Sequence, residues 1–383
     1  MIGMSNYYRV CSRCVMDTSD PEIDFDVDGV CSHCRMFDKK IIGRWFPDEK
    51  GSILLDNIVD SIKFQGKNRK YDCIIGLSGG VDSSYLALKV KELGLRALAL
   101  HVDAGWNSEL AVNNIENIIN YCNFDLYTEV IDWDDMRRLQ LAYMRSGIAN
   151  QDVPQDHAFF ASIYRYAAKN NIKYVLSGGN IATESVFPSA WYNDAMDARS
   201  LKAIFRTFGE GKLRKYPIVG FWKYYFYYPF LRGMKVVRPL NYLHYNREEA
   251  ISELQGKVNW KHYGGKHNES IFTKFFQNYY EHVRFGYDMR RPHLSSEILS
   301  GQITREKAIS VLSEPLYTEN ELDFEKNYIM KKLRLSKDEF DELLSVPARH
   351  YSEFPNNYKR YVAIKRLQAF VESLFNKKII CYS

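Results

Sequence analysis

The chain has 383 residues, of which 26% are charged and 46% hydrophobic, and a formal net charge of +5. That length builds a large core with two or three substructures, the balance is that of an ordinary globular protein, and the mild positive charge suits an anionic small substrate without requiring nucleic acid. The first nine residues hold no apolar core of signal-peptide length and no run of about eighteen apolar residues occurs, so the expectation is a cytoplasmic chain without a membrane span.

Four of the seven cysteines come first, as Cys11-Ser-Arg-Cys14 and Cys31-Ser-His-Cys34. Each C-x2-C pair can turn tightly and aim two thiolates at one ion, the spacing of a structural zinc module. The segment between them is too short and polar to build a core, so Zn2+ would supply its folding energy. Disulfides conflict with a cytoplasmic setting, whereas an iron–sulfur cluster would use the same ligands. The module is expected over residues 1–40. A polar connector over 41–69 carries one amphipathic helix around Leu55, Ile58 and Ile62.

A nucleotide-binding domain is expected over 70–250. Cys73 to Leu77 reads as a buried strand that breaks into Ser78-Gly79-Gly80. The apolar spacing of Tyr85, Leu86, Leu88, Val90 and Leu93 then predicts a helix, stopped by Gly94. Strand, glycine turn and helix start present free N–H groups to an anion, and the hydroxyls of Ser78, Ser83 and Ser84 can add donors. Asp82 would repel phosphate unless a cation stands between them, which points to Mg2+ bridging Asp82 and a polyphosphate. Neither a Walker A loop nor a G-x-G-x-x-G fingerprint is present.

Further strands are expected at Leu95–His101, Asp125–Val130, Ile172–Leu176 and Val236–Leu240. Helices with Ser108, Asp132 and Asn246 at their starts and one over Gln155–Asn170 lie between or after them. This alternation predicts an α/β fold, a doubly wound parallel sheet of about five strands. Ligands in such sheets bind beyond the carboxyl ends of the strands, which selects Ser78–Ser84, the stretch with His101 and Asp103, and Ser177-Gly178-Gly179-Asn180-Ile-Ala-Thr183-Glu184. His101 reads equally as a contact or as a buried structural residue. Tyr216 to Phe230 is strongly aromatic and reads as a buried helix, an interfacial membrane helix being the other reading. Residues 251–383 are expected to be helical. Their loop Trp260–Glu269, with Lys261, His262, Lys266 and His267, is either a solvated basic loop or a lid over an anionic ligand.

The string Ser78-Gly-Gly-Val-Asp-Ser-Ser84 resembles the SGGxDS pyrophosphatase loop of the N-type ATP pyrophosphatases, whose members activate a carbonyl oxygen by adenylation. By that resemblance Ser78, Gly79, Gly80, Asp82, Ser83 and Ser84 hold ATP, with Asp103 nearby, and Asp82 and Ser83 take part in catalysis. Gly178 to Glu184 resembles the G-T-x-N-x-x-E segment of ammonia-dependent NAD synthetases. The match implies Glu184 as a second Mg2+ ligand and Gly178, Gly179, Asn180 and Thr183 as nucleotide contacts.

The Cys11–Cys34 array, SGGVDSS, Val102-Asp-Ala-Gly-Trp106, Val153-Pro-Gln-Asp156, Gly178–Glu184 and Tyr263-Gly-Gly-Lys-His267 together resemble the N-acetyl sugar amidotransferases. That family turns the acetamido group of a bacterial surface sugar into an acetamidino group. The resemblance implies an N-acetylated sugar as substrate, contacted by Gln155, Asp156, Lys266 and His267, with Lys266 also catalytic. It further implies partner subunits, glutaminase-like and cyclase-like, that supply ammonia; no cysteine here (Cys73, Cys122 or Cys381) is placed as a glutaminase nucleophile. The competing reading is a tRNA-thiolating enzyme with the same loop, which calls for a cysteine beside the nucleotide and a pronounced basic face. A zinc scaffold without activity would leave Asp82 and Glu184 without a role.

Overall fold

Cys73–Gly76 (β1), Ala97–Asp103 (β2), Asp125–Val130 (β3), Tyr174–Leu176 (β4) and Lys235–Val237 (β5) form one parallel sheet in the order β3-β2-β1-β4-β5. The chain is described here by a computed structural model covering residues 8–265 and 268–375. Register places Ile75 between Ala99 of β2 and Leu176 of β4. The central strands are buried on both faces, and successive side chains alternate between two cores. Ile74, Leu98, Leu100 and Val102 enter one core, while Cys73, Ile75, Leu77, Ala97 and Ala99 enter the other.

Parallel pairing needs a crossover after each strand. A short α1 (Ser32–Met36) precedes α2 (Glu49–Gly66), whose Leu55, Val59 and Ile62 join the second core. With them pack α3 (Val81–Glu92), which follows β1, and α4 (Glu109–Cys122), which follows β2 and is capped by Ser108, whose Oγ accepts the Ala111 N–H at 3.2 Å. The first core is covered by α5 (Trp133–Ser146), α6 (Val153–Lys169) and α8 (Ala198–Phe208), with α7 (Ile181–Glu184) a single turn after β4. After β5, α9 (Arg247–Val258) starts at Asn246, whose Oδ1 accepts the N–H groups of Glu248 and Glu249.

The remaining described chain is helical: α10 (Ile271–Phe275), α11 (Glu281–Phe285), α12 (Arg290–Leu299), α13 (Arg305–Ser313), α14 (Glu319–Leu333), α15 (Lys337–Ser345) and α16 (Tyr358–Phe375). It is joined to the sheet layer by sharing its first core. Phe272, Phe275, Phe276 and Tyr280 are wholly buried with the first core, and Phe272 lies 4.6 Å from the Trp106 ring.

Two expectations change. The fifth strand stops at Val237 rather than Leu240, because Pro239 offers no N–H to a ladder and opens a 3-10 turn, Pro239–Tyr242. The aromatic stretch is not a buried helix. Lys223–Leu231 is a wide, π-type helix containing Pro229, with Tyr228 its one buried residue, while Trp222, Phe230 and Leu231 are 63%, 58% and 78% exposed. A helix aromatic on every side cannot turn all of them inward when it has a sheet layer on one side only.

What fixes the entry to that helix is Asp135, a first-turn acid of α5 that reads in the sequence as a complement to the helix dipole. Its Oδ2 accepts the N–H groups of Arg214, Lys215 and Tyr216 at 2.7, 2.6 and 3.0 Å, and Oδ1 accepts from Arg138 at 2.7 Å. Burial alone would raise its pKa, but these donors outweigh burial and hold the carboxyl below its ordinary value. The stabilisation is therefore present above the ordinary carboxylate pKa and is lost as pH falls through the depressed one. Asp135→Asn is expected to cost about 1–3 kcal/mol. Urea unfolding at neutral pH checks this, and an unchanged midpoint would contradict the role.

Candidate active site

The strand order reverses direction between β1 and β4: connections from β1 run outward to β2 and β3, and from β4 to β5. At such a switch point two loops diverge and leave a crevice beyond the strand ends. The loops are Ser78–Gly80, leading into α3, and Ser177–Asn180, leading into α7.

The first loop is pressed between neighbours that only glycine permits. Gly79 has φ +84°, and a Cβ there would come 2.5 Å from the Ala111 carbonyl oxygen of α4. A Cβ on Gly178 would come 2.9 Å from the carbonyl of Asp82 and 3.1 Å from the N of Ser83, so the second loop rests on the first. Ser78 and Ser83 are half-buried with hydroxyls 3.1 Å apart, and Ser83 Oγ also accepts the Ser78 N–H at 3.3 Å. Ser84 is wholly buried, and its hydroxyl has no hydrogen-bond partner among the described residues.

Asp82, in the first turn of α3, accepts a hydrogen bond from the Tyr245 hydroxyl. Burial, then the charge of Asp82, raise the Tyr245 pKa well above its ordinary value, and Glu184 adds to this from the other loop. Tyr245 thus stands in the field of both expected Mg2+ ligands. In the second loop Asn180 caps α7, its Oδ1 accepting the N–H of Thr183 at 3.0 Å and the Thr183 hydroxyl at 3.2 Å. The Asn180 N–H points to Glu184 Oε2 at 3.4 Å.

Four participants come from sequence far away, and sequence reasoning assigned none of them an individual role. Glu269 Oε1 accepts from Ser78 Oγ at 3.3 Å, while its Oε2 is buried with no partner among the described residues. The Tyr263 hydroxyl accepts the Val81 N–H at 3.0 Å, and the Trp260 indole donates to the Gly79 carbonyl at 3.2 Å. The segment read as a basic loop or lid therefore lies on the glycine loop through an aromatic and an acid. Lys266 and His267 lie outside the described residues. Arg247 is the fourth: it lowers the pKa of Tyr245 and of Tyr263 by its charge, and its Nη2 is buried with no partner among the described residues.

At the end of β2, His101 resolves as structural. Its Nδ1 donates to the Leu77 carbonyl at 2.9 Å, its Nε2 accepts from Asn107 at 3.1 Å, and burial lowers its pKa, so the ring is neutral. Asp103 Oδ1 accepts the Gly105 N–H at 2.8 Å and an Asn107 amide hydrogen at 3.2 Å.

Beside the crevice, Gln155 accepts from Ser270 Oγ at 3.2 Å and donates to Asp152 Oδ1 at 3.2 Å. Ser270 adjoins Glu269, so polar contacts run without a break from the glycine loop to the start of α6. Asp156 is reached by solvent yet deep among protein atoms; burial, then the charge of Asp152, push its pKa up to about 8. Glu281 is buried with its Oε2 unpartnered among the described residues, and it and Asp152 both act on Tyr192.

The four N-terminal cysteines form the one group of three or more metal-binding side chains found among the described residues, their Sγ atoms all within 4.8 Å. Separations of 3.8, 3.6 and 3.6 Å for Cys11–Cys34, Cys14–Cys31 and Cys31–Cys34 match the edges of a tetrahedron around one ion at about 2.3 Å from each sulfur. All four are wholly buried, with Ile181, Val186 and Trp191 in the same cluster. The module docks on α12 and α13: Arg291 and Arg305 donate to the carbonyls of Val15, Cys14 and Cys11 at 2.6, 3.1 and 2.9 Å. Further along α12, Ser296 Oγ accepts the Val186 N–H at 3.0 Å, and Ser300 just beyond the helix donates to the Ala182 carbonyl at 2.8 Å.

Residues 269–368 match the family described as "LPS biosynthesis protein WbpG-like, C-terminal domain". No curated protein sequence matches the chain. Among solved structures, the NMN synthetase of Francisella tularensis is similar at 15% identity and a TM-score of 0.32, over 75% of this chain and 96% of that one. The NH3-dependent NAD synthetase of Campylobacter jejuni, in complex with nitrate, is similar at 15% identity and a TM-score of 0.28, over 41% and 72%. The U34-tRNA thiolase NcsA of Methanococcus maripaludis with its 4Fe-4S cluster is similar at 12% identity and a TM-score of 0.32, over 68% and 80%.

Two outcomes are expected. Gly178→Ala forces the Asp82–Ser83 peptide away and weakens ATP binding about tenfold or more, a change of roughly 1.4 kcal/mol, with circular dichroism unchanged; calorimetric titration measures it, and wild-type affinity would count against the close approach. Cys31→Ser loses the bound metal and opens residues 8–35 to limited proteolysis. A metal-free variant that resists the protease like wild type would refute a metal-dependent module.

Proposed function

We propose that this chain is an ATP-dependent amidotransferase of the PP-loop ATP pyrophosphatase type, which converts the acetamido group of an N-acetylated surface sugar to an acetamidino group. The observation that carries this reading is the anion cradle at the β1/β4 switch point, with Asp82 and Glu184 on its rim and no described cysteine beside it. Cys73 opens β1, five residues before the loop, and the Cys122 thiol lies 3.6 Å from the Ala87 carbonyl, a turn of α3 beyond Ser83. The tRNA-thiolating alternative needs a thiol at the nucleotide. The match of residues 269–368 to an LPS biosynthesis family supports a sugar substrate.

The residues divide the work as follows. An amide carbonyl does not exchange oxygen for ammonia directly, because oxide is a poor leaving group. The acetamido oxygen attacks the α-phosphorus and the α–β bond breaks, releasing pyrophosphate. Ammonia adds to the imidoyl carbon and loses a proton, and AMP departs with the former amide oxygen. The loop N–H groups, the hydroxyls of Ser78 and Ser83 and the Arg247 cation stabilise the departing pyrophosphate, the part a Walker lysine plays in other loops. The donor set fits magnesium, since two carboxylates plus phosphates and water satisfy it. Asp82 and Glu184 would hold that ion, which neutralises charge between carboxylates and phosphates. Gln155 and Asp156 face the sugar; the charge of Asp152 nearby favours the neutral form of Asp156.

Zinc fits the four thiolates, because one ion at the centre of sulfurs this close needs four ligands and leaves none free for catalysis. A four-iron cluster would place each thiolate on a different iron and space the sulfurs more widely. Ammonia is taken to come from glutaminase-like and cyclase-like subunits.

The decisive assay follows AMP and pyrophosphate formation with ATP, ammonium and a panel of N-acetylated sugars. One sugar is expected to support turnover and to yield a product lighter by the difference between O and NH in mass spectrometry. Asp82→Ala is expected to remain folded and lose turnover by about three orders of magnitude or more. Pyrophosphate formed only with tRNA and a sulfur donor would overturn the assignment.

A further inference from the structure

We infer that Lys212–Lys235, together with the adjoining face of α16, docks peripherally on an anionic lipid bilayer. Trp222, Phe226 and Phe230 project as one ladder, with ring centroids 4.9 and 6.1 Å apart. They are 63%, 37% and 58% exposed, and Leu231 at their end is 78% exposed. Single exposed apolar side chains are common, but a contiguous row of this size marks a surface that something covers.

Charge says what covers it. Lys212, Arg214, Lys215, Lys223, Arg232 and Lys235 lie in this stretch, which contains no Asp or Glu. Tyr225 lies 5.9 Å from Tyr361 of α16, so the two elements adjoin. That helix exposes Leu367 and Phe370 at 62% and 59% and carries Lys359, Arg360, Lys365 and Arg366. Apolar side chains flanked by cations on two neighbouring elements fit a layer whose interior is apolar and whose rim is anionic. A second copy of the chain would bring the same positive charge and be repelled.

The stripe beside the ladder supplies a place for a headgroup. Arg165, Lys169, Lys223 and Arg232 help to line a cavity of about 490 Å3 next to the hydroxyls of Ser162 and Tyr228, which are buried without a hydrogen-bond partner among the described residues. Glu129, the one acid in its lining, accepts from the Tyr127 hydroxyl at 2.9 Å. A lipid phosphate would satisfy the two hydroxyls and the cations together. The segment is held ready for contact, because Asp135 fixes residues 214–216 and Arg232 donates to the Ala168 carbonyl. No described helix is long and apolar enough to cross a membrane, so the contact would lie on the surface.

The test is co-sedimentation of the full chain with vesicles of phosphatidylcholine alone or mixed with phosphatidylglycerol. Binding to the anionic vesicles only is expected, weakened by salt, and about tenfold or more weaker in a Trp222→Ser/Phe230→Ser double variant. Trp222→Phe is expected to bind like wild type and to lose most of the quenching of tryptophan emission by brominated lipid. The inference is overturned by no binding at low salt, by equal binding to neutral vesicles, by undiminished binding of the double variant, or by quenching unchanged in Trp222→Phe.

Discussion

The structure depends on one close approach: the backbone of Gly178 lies against the Asp82–Ser83 peptide where β1 and β4 part. Here the absence of a side chain lets two loops share a crevice, so that a helix start from one and a carboxylate from the other border the same space. Much of the remaining chain holds those loops in register. The Ala111 carbonyl presses on Gly79, Trp260 ties down its oxygen, and α12 with Ser300 grips the turn that carries Glu184.

The cysteine module belongs to the same mechanical chain. It touches α12 and α13 through two arginines and shares its buried cluster with Ile181 and Val186, the residues that flank the Glu184 turn. A metal that held the module would also stiffen, through these contacts, the loop opposite Asp82. An ion held there would bear on the crevice through these contacts alone, as supporting contacts around a site commonly do.

Much of this was legible in the residues, and what was not has identifiable causes. The apolar runs of β1 and β2 and the helical spacing after them fixed a parallel sheet, because a strand buried on both faces has little other sequence form. The Cys11–Cys34 spacing marked a cluster of four thiols that could hold a metal, because local turns alone bring each pair together. Glu269, Tyr263, Tyr245 and Arg247 could not be read in this way, since nothing local distinguishes a tyrosine that reaches a distant loop from one that fills a core. The start of α5 shows the same blindness: Asp135 suits a helix dipole on paper but spends its charge on three backbone donors eighty residues on. Composition likewise announced the aromatic stretch but not which rings face outward, because that depends on the layer it lies against.

The acids around the loop constrain the order of events. Asp82 and Glu184 line the crevice, and Glu269 already rests against Ser78. A polyphosphate entering alone would meet these negative charges as well as the N–H groups of the turn. At close range in a partly buried site, such repulsion costs several kcal/mol. On the proposed reading, a divalent cation arriving with the nucleotide would turn each repulsion into an attraction, because it prefers oxygen ligands of both kinds. On that reading, metal and nucleotide enter as one unit, and the segment bearing Tyr263 and Glu269 yields as they do.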